Sequence, residues 1–218
     1  MMSYREPGTP LSCRFFYPGG AHPATVARMN GFARRLVNLR TISRADRVLR
    51  EVLPSLNLPT EARVLELGMG RGGLVALVSE RLRPALYVGT DFDPDQVRAA
   101  REFISARFGS IPAPIALGQA DARELPFKDR AFDCVFALMA LHHVEPHHGE
   151  FARQPAAVRE VRRVLRPGGW LVYKEFSKGG RLRRSLEDLG FGRVALHPHF
   201  RTETGVYRTS LDEGNAVR

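Results

Sequence analysis

Cysteine is almost absent: Cys13 and Cys134 are the only two in 218 residues. They lie far apart in sequence, and Cys134 falls in an apolar run. No disulfide framework is expected, and both read as free thiols of a reducing compartment. No apolar run approaches the roughly 18 residues that a bilayer-spanning helix needs. Met1 to Pro10 has no apolar core of the kind a secretory leader carries, so a cytoplasmic location is the expectation. Internal repeats and low-complexity tracts are missing, which excludes solenoid architectures. Four histidines, His142, His143, His147 and His148, come close together. They lack nearby cysteines or a carboxylate at ligand spacing, so no metal site is expected.

What is present is ordinary in amount and uneven in placement. The hydrophobic fraction is 44%, enough for one α/β domain with a sizeable core. The net charge is +10, and nearly all of the basic residues are Arg. Residues 1–58 carry nine Arg against three acids, and residues 153–184 carry ten Arg or Lys against two. Arg159, Arg162, Arg163 and Arg166 recur at three- and four-residue spacing, so they share a helix face. Such segments can attract nucleic acid or an anionic membrane surface. A solvated, Arg-biased surface accounts for the same composition.

Residues 1–20 are rich in Pro and Gly and hold the aromatic cluster Phe15-Phe16-Tyr17, an irregular arm. Ala24 to Leu39 has helical periodicity, and Ser43 can cap a second helix towards Leu53. From Ala62 onward strand and helix patterns alternate. Strands are predicted at 62–67, 85–90, 113–118, 132–138, 169–175, 192–199 and 204–210, and helices at 72–82, 94–108, 154–165 and 179–189. That alternation implies a doubly wound, mostly parallel sheet. The last two strands are separated only by Phe200 to Glu203, so they form a hairpin and one runs antiparallel.

The stretch Val64 to Gly73 organises the chain. A short buried strand turns through Gly68, Gly70 and Gly72 into an apolar helix, which brings backbone N–H groups close to a ligand. Glu66, just before the turn, suits a cationic ligand and would repel a pyrophosphate. Asp91 closes the second strand, where a carboxylate can hold both hydroxyls of a ribose. Phe92 beside it can pack on a base. Asp121 and Ala122 close the third strand, offering an acceptor and a backbone donor to an adenine edge. Asp133, early in its strand, reads as structural.

Together Glu66-x-Gly68-x-Gly70-x-Gly72, Gly89-x-Asp91, Asp121-Ala122, Phe132-Asp133 and Leu165-Arg166-Pro167-Gly168-Gly169 resemble the class I S-adenosylmethionine (SAM)-dependent methyltransferases. The resemblance covers about residues 60–210. Leu141-His142-His143-Val144 is similar to the branch that includes the ubiquinone and menaquinone C-methyltransferases. The resemblance implies a Rossmann-like sheet of seven strands with the last antiparallel. It implies that Gly68, Gly70 and Gly72 flank the methionine part of SAM and that Glu66 orders its amino group. It further implies Asp91 on the ribose and Asp121 on the adenine.

Methyl transfer from a sulfonium is an in-line displacement with a neutral leaving group, so alignment and exclusion of water dominate. A base is needed only where the acceptor must lose a proton; His142, His143 and Glu175 are the candidates at the carboxyl edge of the sheet. The family's base N-methylators carry an Asn/Asp-Pro-Pro-aromatic loop after strand four. Here Ala137-Leu138-Met139-Ala140 stands in that place, which argues against exocyclic base N-methylation; a small-molecule acceptor is the leading expectation. Transfer to RNA or protein, and a non-catalytic SAM-binding role, stay open as alternatives. With little insertion after strand five, residues 1–58 are expected to be the lid and residues 59–218 the SAM-binding domain.

Overall fold

The structure, a computed structural model, describes residues 31–144, 153–176 and 180–211. Helix α1 (Gly31–Val52) precedes β1 (Arg63–Leu67), α2 (Gly73–Arg81), β2 (Leu86–Asp91), α3 (Pro94–Phe108) and β3 (Ile115–Gln119). Then follow β4 (Phe132–Leu138), α4 (Gln154–Val164), β5 (Leu165–Phe176), α5 (Gly180–Asp188), β6 (Phe191–Pro198) and β7 (Thr202–Thr209).

The strands form one sheet of seven in the order β3-β2-β1-β4-β5-β7-β6. The pairs among β1 to β5 are parallel, whereas β7 runs antiparallel to both β5 and β6. The expected hairpin and its reversed strand are therefore present. Successive strand residues point to opposite faces. Val64, Phe136 and Val172 pack with α1, α2 and α3 on one face, and Leu65, Val135 and Leu171 pack with α4 and α5 on the other. Both faces are covered, which is why the central strands read as apolar runs without alternation. The order reverses beside β1, between β1 and β4, and open α/β sheets bind ligands at that point, beyond the strands' carboxyl ends.

Two expectations are corrected. The break between two N-terminal helices at Ser43 does not occur: α1 runs unbroken from Gly31 to Val52. A serine inside a helix costs only a few tenths of a kcal/mol, roughly. The stripe Ala45, Val48, Leu49 and Val52 is buried in the sheet's own core and outweighs it. Asp46 accepts from Arg50 Nε at 2.8 Å and also pairs with Arg81, which ties α1 to α2. The earlier part of the first predicted helix and the arm with Phe15-Phe16-Tyr17 lie outside the described residues.

The second correction concerns the arginine stripe. Helices α4 and α5 do share one side of the sheet, through Val158, Val161, Leu182 and Leu186. Arg163, however, is held by Glu160 and Asp129, and it donates to the carbonyls of Phe127 and Leu125. Arg166 donates to Asp133 Oδ1 at 2.8 Å. Two of the four arginines thus serve intramolecular carboxylates rather than a continuous positive face. Asp133, whose Oδ2 also accepts from Arg63 N at 2.8 Å, has the structural role expected of it.

Candidate functional site

Three glycines carry the chain from β1 into α2, all at positive φ: +64° at Gly68, +52° at Gly70 and +78° at Gly72. L side chains rarely adopt that region. At Gly68 packing adds a second demand, because a Cβ would stand 2.6 Å from Ala140 Cβ. Gly72 caps α2 and would press a Cβ to 3.3 Å from Ala100 Cβ. A Cβ at Gly70 would meet only Gln96 Oε1, at 4.0 Å. Gly70 is therefore the position where the turn opens onto free space.

The turn is stitched to the end of β2. Met69 N donates to Thr90 O at 2.9 Å, and Gly70 N donates to Asp91 Oδ2 at 2.8 Å. Asp91 Oδ1 accepts from Asp93 N at 3.0 Å, and Asp93 caps α3 through Asp95 N. Burial pushes the Asp91 carboxyl up to about 6, against the hydrogen bonds that favour its charge. Each carboxylate oxygen can accept more than one bond, so Asp91 retains capacity for hydroxyls. Phe92 is half-buried, and its carbonyl accepts from Gln119 Nε2 at 3.0 Å, which ties it to the end of β3.

Asp121 and Ala122 follow β3 at the same edge of the sheet. Both Asp121 oxygens are engaged by Arg123, whose Nε lies 2.9 and 3.0 Å away. Burial works against the charge, but the Arg123 contacts win and hold the carboxyl below its ordinary range. An adenine amino group would share this carboxylate with Arg123. Ala122 packs against the core of the α4/α5 face.

Glu66 is buried, as its place inside the β1 strand implies. It is 3% exposed, on the α1/α2 face, and pairs with the hydroxyl of fully buried Tyr87. Burial pushes its carboxyl up to about 8, and the nearby Asp91 charge adds to the rise. The Tyr87 hydroxyl donates to the carboxyl and works against that rise, so Glu66 is a buried partner of Tyr87 whose charge is disfavoured.

The three candidate bases come together. Residues Leu141–Val144 form a single 3₁₀ turn after β4. His142 Nδ1 lies 2.6 Å from Glu175 Oε2, and Glu175 Oε1 accepts from Leu141 N at 2.8 Å. Glu175 is 3% exposed at the end of β5. His143 stacks at a tilt on His142, with ring centroids 3.9 Å apart, and Phe176 meets His142 edge-on at 5.0 Å. A carboxylate on Nδ1 fixes the ring and makes Nε2 the basic nitrogen. His147 and His148 lie outside the described residues; among the described ones no group of three or more His, Cys, Asp or Glu is placed to hold a metal ion.

One buried polar group was not anticipated. Lys174 is 7% exposed in β5, and its Nζ donates to Thr204 Oγ1 at 3.4 Å. The signal was available: a lysine inside the apolar run Trp170 to Phe176, in a chain whose cations are almost all arginine. Tyr87, the partner of Glu66, was likewise unassigned.

Residues 65–173 match the methyltransferase-domain family. A fatty-acid O-methyltransferase from Mycolicibacterium smegmatis is 38% identical over 113 residues, which are 52% of this chain and 36% of that protein. A demethylmenaquinone methyltransferase from Thermus thermophilus is 38% identical over 114 residues, 52% of this chain and 47% of that protein. The matched stretch thus spans less than half the length of these curated relatives. A SAM-dependent methyltransferase from Aquifex aeolicus shares the fold, with a TM-score of 0.64 at 16% identity over 87% of this chain and 99% of that one. No described helix is long and apolar enough to cross a membrane. With half of its residues matching the family model, and with the glycine turn and sheet order in place, the chain belongs to the methyltransferase-domain family, in its SAM-dependent class.

Proposed function

We propose that the protein transfers a methyl group from SAM to a small-molecule acceptor. The observation that carries this reading is the glycine turn held against Asp91 by the Gly70 N–H. It leaves an open cradle at Gly70 beside a half-buried carboxylate with acceptor capacity to spare, which fits a ribose-bearing ligand. In this reading Asp91 holds the ribose hydroxyls, and the backbone of Gly68 to Gly72 flanks the methionine part. Phe92 packs on the adenine, while Asp121 and the Ala122 N–H take its edge. Glu66 neutralises the amino group when it loses its proton. Bound SAM supplies an electrophilic methyl on a positively charged sulfur. The chain's own work is to align the acceptor, keep water out and, where the acceptor carries a proton, receive it on His142 Nε2 with Glu175 fixing the ring.

The relatives named for fatty-acid and demethylmenaquinone methylation support a small-molecule acceptor rather than RNA or protein. Residues 1–58 form the lid in this reading, with the buried half of α1 as its anchor. The setting is a reducing, cytosolic one, consistent with buried Cys134 as a free thiol. Incubation of the protein with methyl-labelled SAM and a panel of fatty acids, quinols and hydroxy acids, beside bulk RNA, tests the proposal. Label in a small acceptor is the expected result; label only in RNA or in protein would overturn the small-molecule assignment.

A further inference from the structure

Lys174 belongs to a row of polar side chains that the methyl-transfer site does not use. In the antiparallel pairing Lys174 stands opposite Thr204, and Thr204 stands opposite His197. Residues directly opposite in such pairs share a face. Lys174, Thr204 and His197 therefore line up across β5, β7 and β6, on the face that α1 covers. His199 Nε2 lies 3.3 Å from Thr204 Oγ1 and 3.3 Å from Glu51 Oε2 of α1.

The row has more donors than acceptors. An ammonium has three N–H groups, and among the described residues Lys174 uses one, in a long bond to a hydroxyl that also contacts His199. His197 Nε2 is buried with no hydrogen-bond partner. Among the described residues Glu51 is the acid whose charge acts on Lys174; its Oε2 lies within ion-pair distance of His199 yet makes no well-aligned hydrogen bond. Arg44 and Arg47, from the exposed side of α1, add positive field at Lys174. Burial disfavours the charge on Lys174 and lowers its pKa, with the two arginines acting in the same sense and Glu51 against them. A buried cation with unfilled donors is stabilised by an anion that fills them.

Lys174, at the near end of the row, lies in β5, which β4 alone separates from β1 and its glycine turn. Met139 N donates to Lys174 O at 2.7 Å, and the next residue, Ala140, is the one that crowds Gly68. We propose that Lys174, with His197 and Thr204, seats a carboxylate of the acceptor. This rests on the methyltransferase reading and narrows it to acceptors that carry an acid group. The carboxylate receives Lys174 Nζ and His197 Nε2 as donors, and Arg44 and Arg47 draw the anion towards the site.

The protein has only three lysines, Lys128, Lys174 and Lys178, so ¹³Cε-lysine spectra resolve the group directly. The experiment uses the full chain loaded with S-adenosylhomocysteine, the demethylated product of SAM, with loading confirmed by calorimetry. Acetate, malonate and decanoate are the probes, and decanamide is the uncharged control. The expected result is a saturable shift of the resonance that is missing in Lys174→Met, with at least one carboxylate and not with the amide. Carboxylate affinity falls tenfold or more in Lys174→Met and in His197→Phe, while affinity for the loaded product is unchanged. Lys174→Gln keeps a polar tip and serves if the Met variant does not fold. A Lys174 signal unmoved by all three carboxylates in loaded protein, or equal carboxylate binding by the variants, overturns the acid seat and leaves methyl transfer standing. Failure of the wild type to take up the product overturns both.

Discussion

The backbone N–H of Gly70 donates to Asp91 Oδ2 at 2.8 Å, and this bond joins the first ligand-facing turn to the end of the next strand. One carboxylate therefore has two tasks: it holds the turn in shape and presents acceptors to a ribose. Asp91→Ala removes both. SAM affinity is expected to fall by about 1–3 kcal/mol, the scale of hydrogen bonds to a charged group. Asp91→Asn, which keeps one acceptor for Gly70 N, is expected to lose less. Calorimetry on the two variants checks the order; equal affinity of Asp91→Ala and wild type would remove Asp91 from the site.

Glu66 makes a prediction about pH. Its carboxyl titrates at about 8 in the folded chain against an ordinary value of 4.5, because burial disfavours the charge. The folded state therefore binds more protons than the unfolded state between those two values. The stabilisation is fully present below the ordinary value and is lost as pH rises through about 8. The loss is of order a few kcal/mol over that window. Glu66→Gln keeps a neutral, hydrogen-bonding partner for Tyr87 and should flatten the dependence. Thermal melts from pH 5 to 9 check this, the expected outcome being a variant that gains on the wild type as pH rises.

The His142–Glu175 pair predicts a split between binding and turnover. Neither side chain is assigned to SAM in the proposed site, so Glu175→Gln and His142→Gln should leave SAM affinity unchanged. With an acceptor that must lose a proton, turnover should fall by roughly 10²- to 10⁴-fold, the usual contribution of a positioned base. Turnover unchanged in both variants would leave the pair a structural contact of the 3₁₀ turn.

Helix α1 predicts a stability effect where a detachable lid would show none. Leu49 is fully buried among sheet residues, so Leu49→Ala should destabilise the whole domain by roughly 2–5 kcal/mol. Chemical denaturation should show one transition shifted to lower denaturant. Two separate transitions would mean that the helix folds apart from the sheet. Hydrogen exchange should show protection rising over residues 31–52 when S-adenosylhomocysteine binds, if that anchor closes with the ligand.

Much of this arrangement was legible in the residues, for physical reasons. The strand–glycine–helix pattern at Val64 to Gly73 is local, and its backbone demands are written in Gly68, Gly70 and Gly72. Asp91 and Asp93 were separable because a proline at the next position marks Asp93 as the cap. What stayed hidden depends on contacts distant in sequence. Tyr87, 21 residues beyond Glu66, supplies the hydroxyl that donates to the buried Glu66 carboxyl and works against the burial that pushes its pKa up. Asp129, 34 residues before Arg163, helps remove that arginine from the expected basic stripe. Ser43 looked like a cap because periodicity cannot see that Ala45 to Val52 dock on the sheet. Lys174 was visible as an oddity, but its companions in β6 and β7 follow only from strand register.

Calorimetric titration of the full chain with SAM, S-adenosylhomocysteine and NAD at neutral pH separates a SAM site from a dinucleotide site. Saturable binding of SAM and its product at one site per chain is the expected result, with none of NAD. Binding of NAD without SAM would contradict it.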